Sequence, residues 1–124
     1  MAAAQENLSP EIRKLIPLTP AVFFVLLSLA SEAKHGYAVM QEMEQLSDGE
    51  VRMGPATLYT TIQRLSDLSL VSEVTAPGNE EDARRRYYEI TSQGRSLLEM
   101  EVARMKNVVR RAKALLAVRP AGGR

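Results

Sequence analysis

The stretch from Gly54 to Leu65, Gly-Pro-Ala-Thr-Leu-Tyr-Thr-Thr-Ile-Gln-Arg-Leu, constrains this chain more than any other. Leu58, Ile62, Leu65 and Leu68 recur at helical spacing, which predicts an amphipathic helix with those side chains as its buried stripe. The opposite face carries Ala56, Thr60, Gln63 and Asp67, with Tyr59 on one flank and Thr57 and Arg64 on the other. A solvated helix face ordinarily carries Lys and Glu. Hydroxyls, an amide, a phenol and one guanidinium are instead groups that contact base edges and phosphates. Ordinary surface helices also show such faces, and this helix alone does not decide between the two.

The flanking segments narrow the choice. Leu70 to Thr75 is apolar and β-branched, residues 77–82 are turn-rich, and Arg84 to Thr91 reads as a second strand. In that strand Tyr88 and Ile90 share a face expected to be buried, which leaves Arg85, Tyr87 and Glu89 on the other. Upstream, Ser9-Pro10-Glu11 starts a short helix that Pro17 ends. Thr19-Pro20 opens another, whose segment Ala21 to Ala30 is apolar nearly all round and should be buried on more than one side. A further helix is expected from Tyr37 to Leu46, with Val39, Met40, Met43 and Leu46 inward. Ser47-Asp48-Gly49 forms a turn, and Val51 to Met53 is a candidate extra strand for the hairpin sheet. The resulting class is mostly α with a small β-hairpin wing (α+β), the layout of a winged helix-turn-helix.

Several of these residues carry a resemblance to the PadR-type transcriptional regulators. They are His35-Gly36-Tyr37 at the second helix of the domain, Thr57-Leu58-Tyr59 with Arg64-Leu65 in the third, Arg86-Tyr87-Tyr88 with Ile90-Thr91 in the wing, and Gly94 just after. The resemblance spans roughly residues 18 to 98. It departs from the family pattern at Ala56, where Gly is usual, and at Thr60, where Pro is usual. Both still permit a helix start and bear on base preference more than on fold. The resemblance implies a regulator of double-stranded DNA, commonly a repressor released by a small lipophilic or aromatic effector. The chain has no Trp on which such a ligand would stack.

The candidate DNA-contacting residues are Thr57, Tyr59, Thr60, Gln63, Arg64, Arg84, Arg85 and Arg86. Tyr59 and Thr57 are expected on phosphates, and Thr60 and Gln63 on bases. Two copies of the helix from Thr57 to Leu68 would enter successive major grooves of a pseudo-palindromic operator.

A homodimer is expected from the last helix. Thr91 is its expected N-cap, and it can run to about Val118. Leu98, Val102, Met105, Val109, Ala112 and Leu116 are spaced four, three, four, three and four residues apart, a heptad seam that Val108 and Leu115 widen. A helix of about 27 residues is roughly 40 Å long. It would outreach its own domain, so the seam is expected to meet a second copy, with folding back onto the N-terminal helices as the alternative. Phe23, in the all-apolar segment, is a further candidate dimer residue. The organisation expected is an arm at 1–17, the winged domain at 18–91, the dimerisation helix at 92–118 and a tail at 119–124.

Composition excludes other classes. With no Cys and one His, disulfides, thiolate metal sites and histidine clusters are ruled out, and no metal or cofactor is expected. His35 precedes a helix-opening Gly and reads as a cap or packing residue. The apolar run from Ala21 to Ala30 is about half of the ~20 residues a membrane span needs. No membrane partner is expected, and a cytoplasmic location is the default. No nucleophile–base pair or phosphate loop is present, so an enzyme is not expected.

Charge gives the strongest counter-argument. Residues 1–91 hold eight Lys/Arg against thirteen Asp/Glu, and residues 92–124 hold eight against two. The winged region is thus net acidic, although phosphate attraction dominates DNA affinity. Attraction must come from a local patch around Arg84, Arg85 and Arg86, with Arg52 and Arg64 nearby. A winged-helix protein-interaction module without DNA binding is the rival reading.

Overall fold

The computed structural model describes residues 8–75 and 85–120. Arg84, the turn-rich segment 77–82, the first seven residues of the arm and the last four of the tail lie outside the described residues. The element order is α1 (Pro10–Arg13), α2 (Pro20–Ser28), β1 (Lys34–His35), α3 (Gly36–Leu46), α4 (Pro55–Asp67), β2 (Val71–Val74), β3 (Tyr87–Ile90) and α5 (Ser92–Ala117).

Local chemistry starts the helices. Ser9, Thr19 and Thr91 each accept the backbone N–H three residues on, which satisfies one of the free donors of a first turn. Pro occupies the start of α1, α2 and α4. α3 and α4 end alike. Asp48 and Ser69 take left-handed backbone angles, and the next N–H closes onto the helix, Gly49 on the Glu44 carbonyl (2.7 Å) and Leu70 on the Leu65 carbonyl (2.9 Å). This closure delivers Leu70 fully buried into the core.

The core lies between α2, α3, α4 and the first turns of α5, around Val25, Leu26, Val39, Met43, Leu58, Leu65, Leu70 and Leu97. At Gly94 a Cβ would overlap the Leu70 carbonyl, so only glycine lets the start of α5 approach the end of α4 this closely. Two further bonds hold that junction: the Thr91 hydroxyl donates to Ser69 O (2.7 Å), and Gln93 Nε2 donates to Leu68 O (3.0 Å).

The sheet corrects one expectation. It has three antiparallel strands in the order β1-β3-β2, and its third strand is Lys34–His35 rather than Val51 to Met53. Pairing of His35 with Tyr87 also explains why Tyr87 is buried, contrary to the alternating pattern expected. The imidazole meets its ring edge-on at 5.4 Å, so Tyr87 and Tyr88 are covered on opposite faces, while Ile90 is only half-buried. Leu46, expected inward, is 43% exposed in the last turn of α3.

α5 divides into two parts. Leu97, Leu98 and Glu101 are buried in the domain, and nearly every residue beyond Glu101 is exposed. Leu98, expected as the first seam position, is buried in the domain core. Val102, Met105, Val109, Ala112 and Leu116 are exposed, as are Val108 and Leu115. Phe23 is half-buried, edge-on to Phe24 at 5.1 Å.

The buried Glu101 carboxylate locks α5 to the N-terminal segment. It accepts Leu18 N–H (2.8 Å) and two bonds from Arg104 (2.6 and 3.2 Å). The Arg104 hydrogen bond, helped by Leu18 N–H and opposed by burial, holds its pKa below the usual carboxylate range. No helix among the described residues is long and apolar enough to cross a membrane.

Candidate nucleic-acid interface

α4 buries Leu58, Ile62 and Leu65 and turns Ala56, Thr57, Tyr59, Thr60, Gln63, Arg64 and Asp67 outward, as the 3.6-residue period requires. Its outer polar groups are partly occupied. The hydroxyls of Thr60 and Thr61 donate to the carbonyls of Ala56 (3.0 Å) and Thr57 (2.9 Å), and Gln63 Nε2 donates to Asp67 Oδ1 (2.9 Å). Each group keeps acceptor capacity toward solvent, and the Gln63 amide keeps a second donor.

A concavity of about 520 Å³ lies beside α4, lined by His35, Gly36, Tyr37, Tyr59, Arg85 and Arg86. Tyr59, Arg85 and Arg86, far apart in sequence, thus share one surface. The fold positions them by two contacts. Tyr59 lies over Gly36, where a side chain would meet its ring, and against Tyr88, with ring centroids 6.4 Å apart. Arg85 reaches over β1, its Nη1 2.9 Å from His35 Nε2, while His35 Nδ1 caps α3 by accepting Ala38 N–H (3.3 Å). Burial, reinforced by the Glu73 charge, raises the Tyr88 pKa above the ordinary phenol value and keeps it neutral beneath the surface.

The structure does not gather all the candidates. Thr57, Thr60 and Gln63 lie along the exposed face outside the concavity, Arg64 lies on the far flank beside Lys14, and Arg84 is outside the described residues. Arg52 pairs with Glu44 at 3.4 Å, which removes it from the free positive charge. Arg64, Arg85 and Arg86 form no salt bridge among the described residues. Tyr37, 61% exposed, lines the concavity and is not among the contacts expected from sequence. Its signal was an aromatic residue directly after a helix-opening Gly, with no place in the apolar stripe of α3.

Comparison with known proteins places this geometry in a family. A family model described as the transcriptional regulator PadR-like family matches residues 25–100. A 37.1 kDa protein of a Streptomyces fradiae transposon is 39% identical over 85 residues, covering 68% of this chain. The chain spans only 23% of that relative's length. A Lysinibacillus sphaericus protein is 27% identical over 68% of this chain and 80% of its own. In fold, a PadR-like transcription factor from Bacteroides fragilis superposes with a TM-score of 0.63 at 20% identity, over 85% of this chain and 98% of its own. A PadR family regulator from Clostridium difficile gives 0.64 at 18%, over 79% and 99%. BpsR of Bordetella bronchiseptica gives 0.60 at 24%, over 80% and 66%. The family model covers more than half of the chain, and the protein belongs to the PadR-like family of transcriptional regulators.

Proposed function

We propose that the protein binds a pseudo-palindromic duplex operator as a homodimer, represses transcription there, and is released by a small lipophilic or aromatic effector. The observation that carries the DNA part is the convergence of Tyr59, Arg85 and Arg86 on one concave surface beside the exposed face of α4. In this reading Thr57, Tyr59 and the wing arginines hold phosphates, while Thr60 and Gln63 meet base edges in the major groove. The dimer part is supported by the exposed apolar row Val102, Met105, Val109 and Leu116 on a helix that leaves its domain. Two α4 helices about one duplex turn apart would then read two half-sites. An effector is supported by BpsR, whose DNA binding is regulated by 6-hydroxynicotinic acid.

The net acidity of residues 1–91 favours the second reading, a protein-interaction module. Titration of random duplex DNA at low and moderate salt separates the two. A DNA reader loses affinity steeply as salt rises. An interaction module shows little binding at either salt. Selection of bound sequences from a random duplex library then gives the operator and its symmetry.

A further inference from the structure

A second, more enclosed cavity lies on the other flank of α4. It measures about 180 Å³, and its walls include Leu15, Leu18, Leu65 and Leu68. Lys14 and Arg64, both exposed, also line it, and no acidic residue does among the described residues. Neither cation forms a salt bridge among the described residues. Thr19 also faces the cavity. Its Oγ1 accepts Val22 N–H, so its proton remains to be donated. α2 begins at this point with no acid in its first turn, and its N-terminal dipole adds to the positive potential. An apolar chamber beside two cations with no salt-bridge partner among the described residues is complementary to an amphipathic anion.

Size and wall chemistry narrow that anion. A dry cavity of about 150 Å³ holds one benzene, so this one takes roughly six to eight carbons. The apolar lining residues are branched aliphatics, with no aromatic ring to stack on among the described residues, which favours an acyl chain over a ring. We propose that this cavity binds a medium-chain aliphatic monocarboxylate, its chain among the leucines and its carboxylate on Lys14 and Arg64. Arg64 is also on the outward side of α4, so an occupied site neutralises a cation that would otherwise face DNA. This consequence rests on the DNA-regulator reading above; binding of the carboxylate itself does not.

Calorimetric titration of the full chain with octanoate, in the absence of DNA, tests the site. Octanoate is expected to bind about tenfold more tightly than octan-1-ol, the worth of hydrogen bonds to a charged group. The double variant Lys14→Gln/Arg64→Gln should lose that difference while keeping its circular dichroism spectrum, because both side chains are exposed. Leu15→Trp, which fills the chamber, should abolish binding of both ligands. No octanoate binding at about 1 mM, equal affinity in the double variant, or benzoate binding as tightly as octanoate would each overturn the assignment. Duplex DNA affinity is measured first without octanoate, so failure of the regulator reading shows up separately. Saturating octanoate should then weaken DNA binding by the parent and have no further effect on Arg64→Gln. Octanoate binding with unchanged DNA affinity would overturn the link to Arg64.

Discussion

Tyr59 lies across Gly36, so closely that a methyl group built on that glycine would overlap the phenol oxygen and come within 2.7 Å of Cζ. The glycine opening α3 thereby sets where the exposed phenol of α4 points. Gly36→Ala is expected to displace Tyr59 and weaken DNA binding about tenfold, the worth of one hydrogen bond to a charged phosphate. Stability should change by less than about 1 kcal/mol, because Ala is the better helix former. Thermal denaturation beside a DNA titration checks both; parent-like affinity would detach Tyr59 from the interface.

Gln63 is held by Asp67 in the free protein. Asp67→Ala frees the amide and removes a negative charge from the outer face, so DNA affinity should rise. Gln63→Ala should relax preference at one operator position by about 1–3 kcal/mol, the usual value of a bidentate base contact. Binding-site selection with the two variants decides this, and an unaltered preference for Gln63→Ala would rule out base reading.

Arg85→Ala should lower the slope of log affinity against log salt by roughly 1.8 for a dimer, at about 0.9 per phosphate contact. Sequence preference should stay, because phosphates carry no direct sequence information. If replacing Arg84, Arg85 and Arg86 together by Ala leaves the slope intact in a folded protein, the wing has no part in binding. The basic residues of α5 then become the candidates.

Val109 is 51% exposed beyond the core that closes around Leu97 and Leu98. Val109→Glu should therefore yield a folded monomer rather than an unfolded chain, since a buried pair of carboxylates costs the dimer and not the domain. Sedimentation showing the unmutated protein as a monomer at micromolar concentration would end the dimer proposal.

The Glu101 lock gives a pH dependence of definite sign. Its folded pKa lies below the unfolded value of about 4.3, so its contribution is complete above that pH. It is lost as pH falls through the folded value. Glu101→Ala should cost about 1–3 kcal/mol at neutral pH by leaving Leu18 N–H unpaired. It should also flatten the acid limb of the stability curve. Urea unfolding at a series of pH values measures both, and an acid limb identical to the parent's would place the titration elsewhere.

What the sequence determined by itself was local and periodic. Ser9, Thr19 and Thr91 announced helix starts because a cap bonds within three residues of itself. Leu58, Ile62 and Leu65 announced the buried side of α4 because the helical period alone assigns faces. The tertiary structure decided whatever depended on a distant partner. Lys34–His35 became the third strand because β3 lay alongside, and two residues are too few to carry a period. Tyr87 was buried by that same pairing, against its alternation. Leu98, which shares the heptad spacing, is buried in the core because the domain reaches that far along α5, which spacing cannot express. The meeting of Tyr59 with Arg85 and Arg86, and of Arg64 with Lys14 on the opposite flank, came from packing alone, since residues on separate elements share a surface only once a core has brought them there.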